Sequence, residues 1–163
     1  MKQKSAEAWT FALSYTGYTQ TACNVSPYYY EEKNFADDLE LAAAQLFQLT
    51  GEKTFLDEGE FWGKQEQVSP WIQNDTAGHY ESYPFVNLGH NLLIRHGKKD
   101  FAGFYKAGLN LLYERGKEDP FFNGLPFLWC SNNLVAAVIT QAKVYEELTG
   151  DTRFREIEAA LRD

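Results

Sequence analysis

LTGEKTF at Leu49–Phe55 returns as LTGDTRF at Leu148–Phe154. In both places an apolar helical pattern runs into the motif and a charged amphipathic pattern leaves it. Before the first copy, Phe35–Thr50 reads FADDLELAAAQLFQLT, with Leu39, Ala42, Ala43, Leu46 and Phe47 at helical spacing. Lys53–Trp62 follows as the returning helix. Before the second copy comes Leu134–Gly150, and Asp151–Asp163 returns. A weaker third copy lies between them, with Phe85–His96, then Gly97, then a helix from about Asp100 to Arg115. The turn glycines Gly51, Gly97 and Gly150 lie 46 and 53 residues apart.

A period of this length means stacked helical hairpins, because one hairpin cannot bury its own apolar face. In each copy the first helix is apolar nearly all round and the second is amphipathic. The first helices are therefore expected inside and the second outside. An irregular helical bundle is the plainer alternative. Met1–Tyr15 reads as one more outer helix, which makes about three and a half hairpins. The chain is expected to be an arc of a larger toroid. Its two ends, Trp9, Phe11 and Leu13 in the first helix and Phe154, Ile157 and Leu161 in the last, are expected to be bare apolar faces.

The 163 residues suffice for one domain with a core, and 16% of them are aromatic, an excess that needs a reason. The formal net charge of -8 and the lack of a basic run argue against a phosphate-backbone partner. Apolar runs are too short to span a bilayer, and MKQKSAEAWT contains no apolar signal-peptide core. Cys23 and Cys130 have neither metal-ligand spacing nor a disulfide framework, and both are expected to be free thiols.

The aromatic excess gathers in the loops before the inner helices: Ser26–Asn34, Thr76–Pro84 and Pro120–Asn133. Parallel inner helices place these loops on one rim, which collects Tyr28, Tyr29, Tyr30, His79, Tyr80, Tyr83 and Trp129. Tyr and Trp pair an apolar body with a hydrogen-bonding tip, which suits a sugar with C–H faces and hydroxyl edges. The other reading is that the rings plug the end of the core. It is the favoured one for Phe121, Phe122 and Phe127, which have no polar tip.

Asp37, Asp38 and Glu40 open a helix, where negative charge interacts well with the helix dipole. The sharper reading adds Glu81 from the next loop. In that reading neighbouring hairpins bring Asp37, Asp38 and Glu81 together, and carbonyls near Lys33 and Asn34 would complete an oxygen cage for calcium. His79, His90 and His96 show no ligand spacing, and His90 and His96 read as structural. Ser131, Asn132 or Asn133 should cap the third inner helix. No nucleophile–base motif or phosphate loop occurs. The adjacent pairs Glu31–Glu32 and Asp37–Asp38 read as surface charge rather than as an acid and a base.

FADDLELAAAQLFQLTG, GHYESYPFVNLGHNLL and PFLWCSNNLVAAVITQAKVYEELTGD resemble family 9 of the glycoside hydrolases, the inverting cellulases, from about Thr19 to the C-terminus. The resemblance implies an all-α fold of helical hairpins, about half of an (α/α)6 toroid, with residues 1–163 as a single partial domain. It implies part of a β-1,4-glucan hydrolase from a secreted or periplasmic parent enzyme. The family's catalytic base lies in an Asp-Ala-Gly-Asp motif and its acid is a Glu after a histidine-containing block. Neither motif occurs here, so no catalytic residue is expected. An inverting glycosidase needs both carboxylates, and these residues alone should be inactive. By resemblance Trp129 stacks a glucosyl unit and Tyr28 and Tyr29 line the cleft. Tyr80 and Asn132 join the expected sugar-binding set. So does Asn133, which stands where some members carry an arginine. Asp37, Asp38 and Glu81 match a structural calcium site, with Glu81 where an Asp is usual; the chemistry itself needs no cofactor. The expected partner is a β-glucan or cello-oligosaccharide, alongside self-association through the open faces. Two rivals remain: a non-catalytic carbohydrate-binding repeat domain, and a structural helical scaffold that binds protein.

Overall fold

Two near-identical turn sequences make the same hydrogen bonds. The computed structural model describes residues 1–16, 35–66, 88–125 and 131–163. Gly51, Gly97 and Gly150 take φ of 77°, 96° and 76°. A Cβ at any of them would meet nothing within 4 Å, so glycine serves the left-handed backbone there, not a tight fit. The Gly51 N–H donates to the Phe47 carbonyl at 2.8 Å, and the Gly150 N–H to that of Glu146 at 2.7 Å. In both turns a threonine hydroxyl, Thr50 or Thr149, donates back to the residue four before it and accepts the N–H two residues on. His96 replaces the threonine in the third copy. Without that hydroxyl, the Lys98 N–H bonds the Leu93 carbonyl at 2.9 Å and the Gly97 N–H that of Ile94 at 3.1 Å. This is the Schellman closure, whereas the other two turns use the simpler left-handed cap.

These turns join seven α-helices among the described residues, with no strand. They are α1 (Lys2–Ser14), α2 (Ala36–Thr50), α3 (Lys53–Glu66), α4 (Leu88–Arg95), α5 (Ala102–Gly116), α6 (Ser131–Thr149) and α7 (Arg155–Arg162). A 3-10 turn, Lys99–Phe101, leads into α5. The inner helices pack in series, α2 on α4 and α4 on α6. Each outer helix packs on its own inner partner and on the inner helix that follows: α3 touches α2 and α4, and α5 touches α4 and α6. Helix α1 packs on α2 in the same way, as an outer helix preceding it should. The layered reading therefore holds over the irregular bundle.

Ends meet ends along the inner layer. Phe47 and His96, near the C-termini of α2 and α4, stack edge to face at 4.9 Å. Arg95 at the end of α4 reaches Glu147 near the end of α6 at 2.6 Å. Near their starts, Glu40 of α2 meets His90 of α4. So α2 and α4 run parallel, and the described starts of inner helices share a side. The core follows these seams. Leu93, Ile94, Phe101, Leu109, Leu112 and Ile157 are fully buried in one cluster, and Trp9, Leu39, Ala43 and Leu46 form a second between α1 and α2.

Four expectations change. Phe154 and Ile157 are buried, not bare, because Tyr113 and Tyr145 pack on Phe154 and close that end from within the chain. Among the described residues the α1 end stays open, with Phe11 and Leu13 exposed while Trp9 is covered. Helix α7 starts at Arg155, not Asp151. The Asp151 carboxylate accepts the Arg153 N–H and the Tyr145 hydroxyl, and that local turn competes with helix. Helix α6 starts at Ser131, so Asn132 and Asn133 lie past the cap, within its first turn. Phe121 is 84% exposed and plugs nothing. The Asp119 carboxylate accepts the N–H of Phe121 and of Asn123, and this turn puts Phe122 at φ 56°. Phe122 then packs edge to face on Tyr113 while Phe121 faces solvent.

Candidate functional site

The start of α2 reads ADDLE, and its side chains part company. Asp38 is exposed, Asp37 is half-buried, and Glu40 is fully closed off. Glu40 follows the same helical stripe as Ala36, Ala43, Ala44 and Phe47, which faces inward. The helix-dipole reading of Glu40 therefore fails: its carboxylate points into the core. His90, also fully closed off, brings its Nδ1 to 2.6 Å from Glu40 Oε1. This agrees with the structural reading of His90. His96 packs on Phe47 and is likewise part of the inner layer.

Four elements build the pocket around this pair. Gly63 of α3 and Gly89 of α4 supply the room. A Cβ at Gly63 would lie 2.5 Å from Glu40 Oε1, and one at Gly89 would lie 2.6 Å from Glu40 Cγ. Phe101 from the 3-10 turn and Phe104 from α5 put their rings 5.1 and 5.3 Å from the imidazole. Tyr105 stands 6.2 Å away, edge on. Among the described residues, Glu40 Oε2 has no hydrogen-bond partner.

Burial pushes the Glu40 carboxyl above its ordinary range, and the hydrogen bond and charge of His90 pull it part of the way back. Burial, then the charge of Glu40, pushes the Tyr105 hydroxyl far up, with Arg95 opposing slightly. For Glu40 the sign is clear. The folded chain keeps this proton at a pH where the unfolded chain has released it. Its contribution to stability is whole below the ordinary glutamate range and is lost as pH rises through the folded value. A pair sealed from solvent cannot touch a substrate, so its chemistry is internal to the scaffold.

The match to known proteins is to a family model, "Glycosyl hydrolase family 9", and it covers residues 1–163, the whole chain. The chain belongs to glycosyl hydrolase family 9. No curated protein and no solved structure matches it. The hairpins described above agree with the (α/α)6 barrel of the family.

On this family 9 scaffold, the described part of the expected site sits at the helix starts. Asn132 and Asn133 are exposed in the first turn of α6, and Asp37 and Asp38 lie in the first turn of α2. Trp129, Tyr28, Tyr29, Tyr80 and Glu81 lie outside the described residues. Among the described residues no three His, Cys, Asp or Glu side chains gather as a metal centre. Sequence reading missed the Glu40–His90 pair, although a signal existed. Each is a polar residue on an apolar helical stripe, Glu40 with Ala43 and Ala44 and His90 with Leu93 and Ile94. Two such residues on adjoining inner helices are candidates to meet.

Proposed function

We propose that this chain supplies part of the substrate cleft of an inverting β-1,4-glucan hydrolase of the cellulase type, from a secreted or periplasmic parent enzyme. The family match over all 163 residues carries the reading. The shared side of the described inner-helix starts supports it, because the aromatic segments precede those starts in the sequence. In this reading residues 1–163 are one partial domain, Trp129 stacks a glucosyl ring, Tyr28, Tyr29 and Tyr80 line the cleft, and Asn132 and Asn133 meet hydroxyls. The sequence contains neither the family's acid motif nor its base motif, and in this reading the chain binds without cleaving. Asp37, Asp38 and Glu81 take a structural calcium; two adjacent carboxylates, one of them exposed, are hard oxygen donors suited to that ion.

Calorimetric titration with a cello-oligosaccharide tests this. The chain should bind and release no reducing ends. Trp129→Ala should weaken binding by about 1 kcal/mol, roughly fivefold, with its helical circular dichroism retained. Absence of any sugar affinity would remove the reading in favour of a protein-binding scaffold. Turnover abolished by a point change within the chain would overturn the non-catalytic part. Thermal melts with calcium and with a chelator decide the ion, since identical midpoints would eliminate it.

Self-association belongs to the same proposal, through one face only. Between α1 and α2 runs a groove of about 430 Å³ lined by Ala8, Trp9, Ala12, Leu39, Ala42 and Leu46, with Phe11 exposed on α1 nearby. Pairing of two copies across a two-fold axis would cover it. Light scattering over a concentration series should show mass rising toward a dimer, and Phe11→Ser should lower it. A monomer at every concentration would refute the pairing.

A further inference from the structure

A single aromatic ring on a surface needs no explanation by itself. At Phe121 the turn that holds the ring out needs one. Phe121 is 84% exposed, while its neighbour Phe122 packs on Tyr113 with ring centres 5.3 Å apart. That arrangement puts Phe122 at φ 56°, a left-handed value that bulky side chains rarely adopt. The surrounding backbone is tied down on both sides. The Asp119 carboxylate accepts the N–H of Phe121 at 2.8 Å and of Asn123 at 3.3 Å. The Asp119 carbonyl accepts the Phe122 N–H at 2.9 Å, and the Asn123 side chain accepts that of Leu125 at 3.0 Å. A Cβ at Gly124 would collide with the Leu112 carbonyl, so glycine lets the turn lie flat on α5. Buried Leu125 anchors the far end. The chain thus fixes in place a ring that adds nothing to its core.

The position of the turn says what the ring meets. Arg95 at the end of α4 reaches Glu147 near the end of α6, so α6 begins on the opposite side. Helix α5 starts just after α4 ends and runs back to that opposite side, and the turn of Phe121 follows its last residues. Phe121 therefore stands on the side of the molecule where Asn132 and Asn133 are exposed in the first turn of α6. A flat apolar face on the same side as amide groups suits a pyranose, which has C–H faces and hydroxyl edges. We propose that Phe121 is a further sugar platform, stacking one glucosyl unit of a β-glucan chain on its bare ring; this rests on the glucan-binding reading above. Because the turn already holds the ring in place, binding costs it little further freedom.

Calorimetric titration of the wild type, Phe121→Ala, Phe121→Leu and Phe121→Trp with cellohexaose tests the assignment. The ring is exposed, so all four should share the same helical circular dichroism and nearly the same melting midpoint. Phe121→Ala should raise Kd about fivefold. Phe121→Leu, apolar but not flat, should raise it nearly as much. Phe121→Trp should match or improve on the wild-type affinity. Equal affinity of the wild type and Phe121→Ala would overturn the assignment and leave the glucan reading standing, since that reading does not use Phe121. Leucine serving as well as phenylalanine would also overturn it, because the contact would then be plain apolar burial. A wild type that binds no cellohexaose would overturn both.

Discussion

His90→Ala should lower the stability of the chain by about 3–5 kcal/mol at neutral pH, the cost typical of leaving one member of a buried charged pair behind. Two effects add. Glu40 loses the group 2.6 Å from its Oε1, and the rings of Phe101 and Phe104 lose the imidazole they pack on. The carboxylate has one escape, which is to take up a proton, so the loss should shrink toward acid pH. That sign follows from the raised Glu40 carboxyl. Urea unfolding of the wild type, His90→Ala and the double variant Glu40→Met/His90→Leu measures it. The double variant should recover most of the loss, because it removes the orphaned charge and fills the space. If its cost instead equals Glu40→Met plus His90→Leu measured singly, the two residues do not act as a pair.

Gly89→Ala should cost about 2–3 kcal/mol, a typical penalty for forcing a methyl group into a filled core. The three heavy atoms nearest the new Cβ all belong to Glu40: Cγ and Cδ at 2.6 Å and Oε2 at 2.7 Å. The penalty therefore depends on one side chain. In a Glu40→Ala background it should nearly vanish, giving a large coupling in a double-mutant cycle. Gly63→Ala is the built-in contrast. Its Cβ would also lie 2.5 Å from Phe101 Cε1, so its cost should persist after Glu40 is truncated. Equal costs for Gly89→Ala in both backgrounds would mean that the carboxylate does not occupy that space.

Local chemistry was legible in the sequence wherever it repeats. The Leu-Thr-Gly turns predicted helix ends at their glycines and the alternation of inner and outer helices, because the motif recurs with the same helical patterns on either side. Contacts across helices were legible only where apolar spacing implied them. Glu40 read as a dipole-facing carboxylate because two other acids stand beside it, yet its place on the Ala36–Ala43–Ala44 stripe decides its burial. Phe121 and Phe122 are identical in type and adjacent. An Asp119 side chain, through its hydrogen bonds to the backbone, sends one to solvent and the other to Tyr113. Composition carries no trace of such a choice. The expected bare face at Phe154 and Ile157 failed for a related reason. The reading counted missing neighbours and did not weigh Tyr113 and Tyr145, which reach across from within the chain.

The overlap of each outer helix with the inner helix after it has a consequence for how such a chain can be divided. The helices are laid like courses of brick in running bond, with every joint bridged by the next piece. Helix α3 packs mainly on α2 and to a lesser extent on α4, whereas α5 packs more on α6 than on α4. A hairpin is therefore not always the unit of packing: α2 and α3 pack chiefly on each other, but α5 packs more on the inner helix that follows than on its own partner α4. Excising or transplanting one as a cassette bares two seams at once, its own outer flank and the inner helix that its outer helix had roofed. The smallest block that travels with its joints intact is three helices long, running from one inner helix through the outer helix to the next inner one. A boundary for shuffling segments belongs at Gly97, between the weakly packed α4 and α5, and not at Gly51, which joins the closely packed α2 and α3.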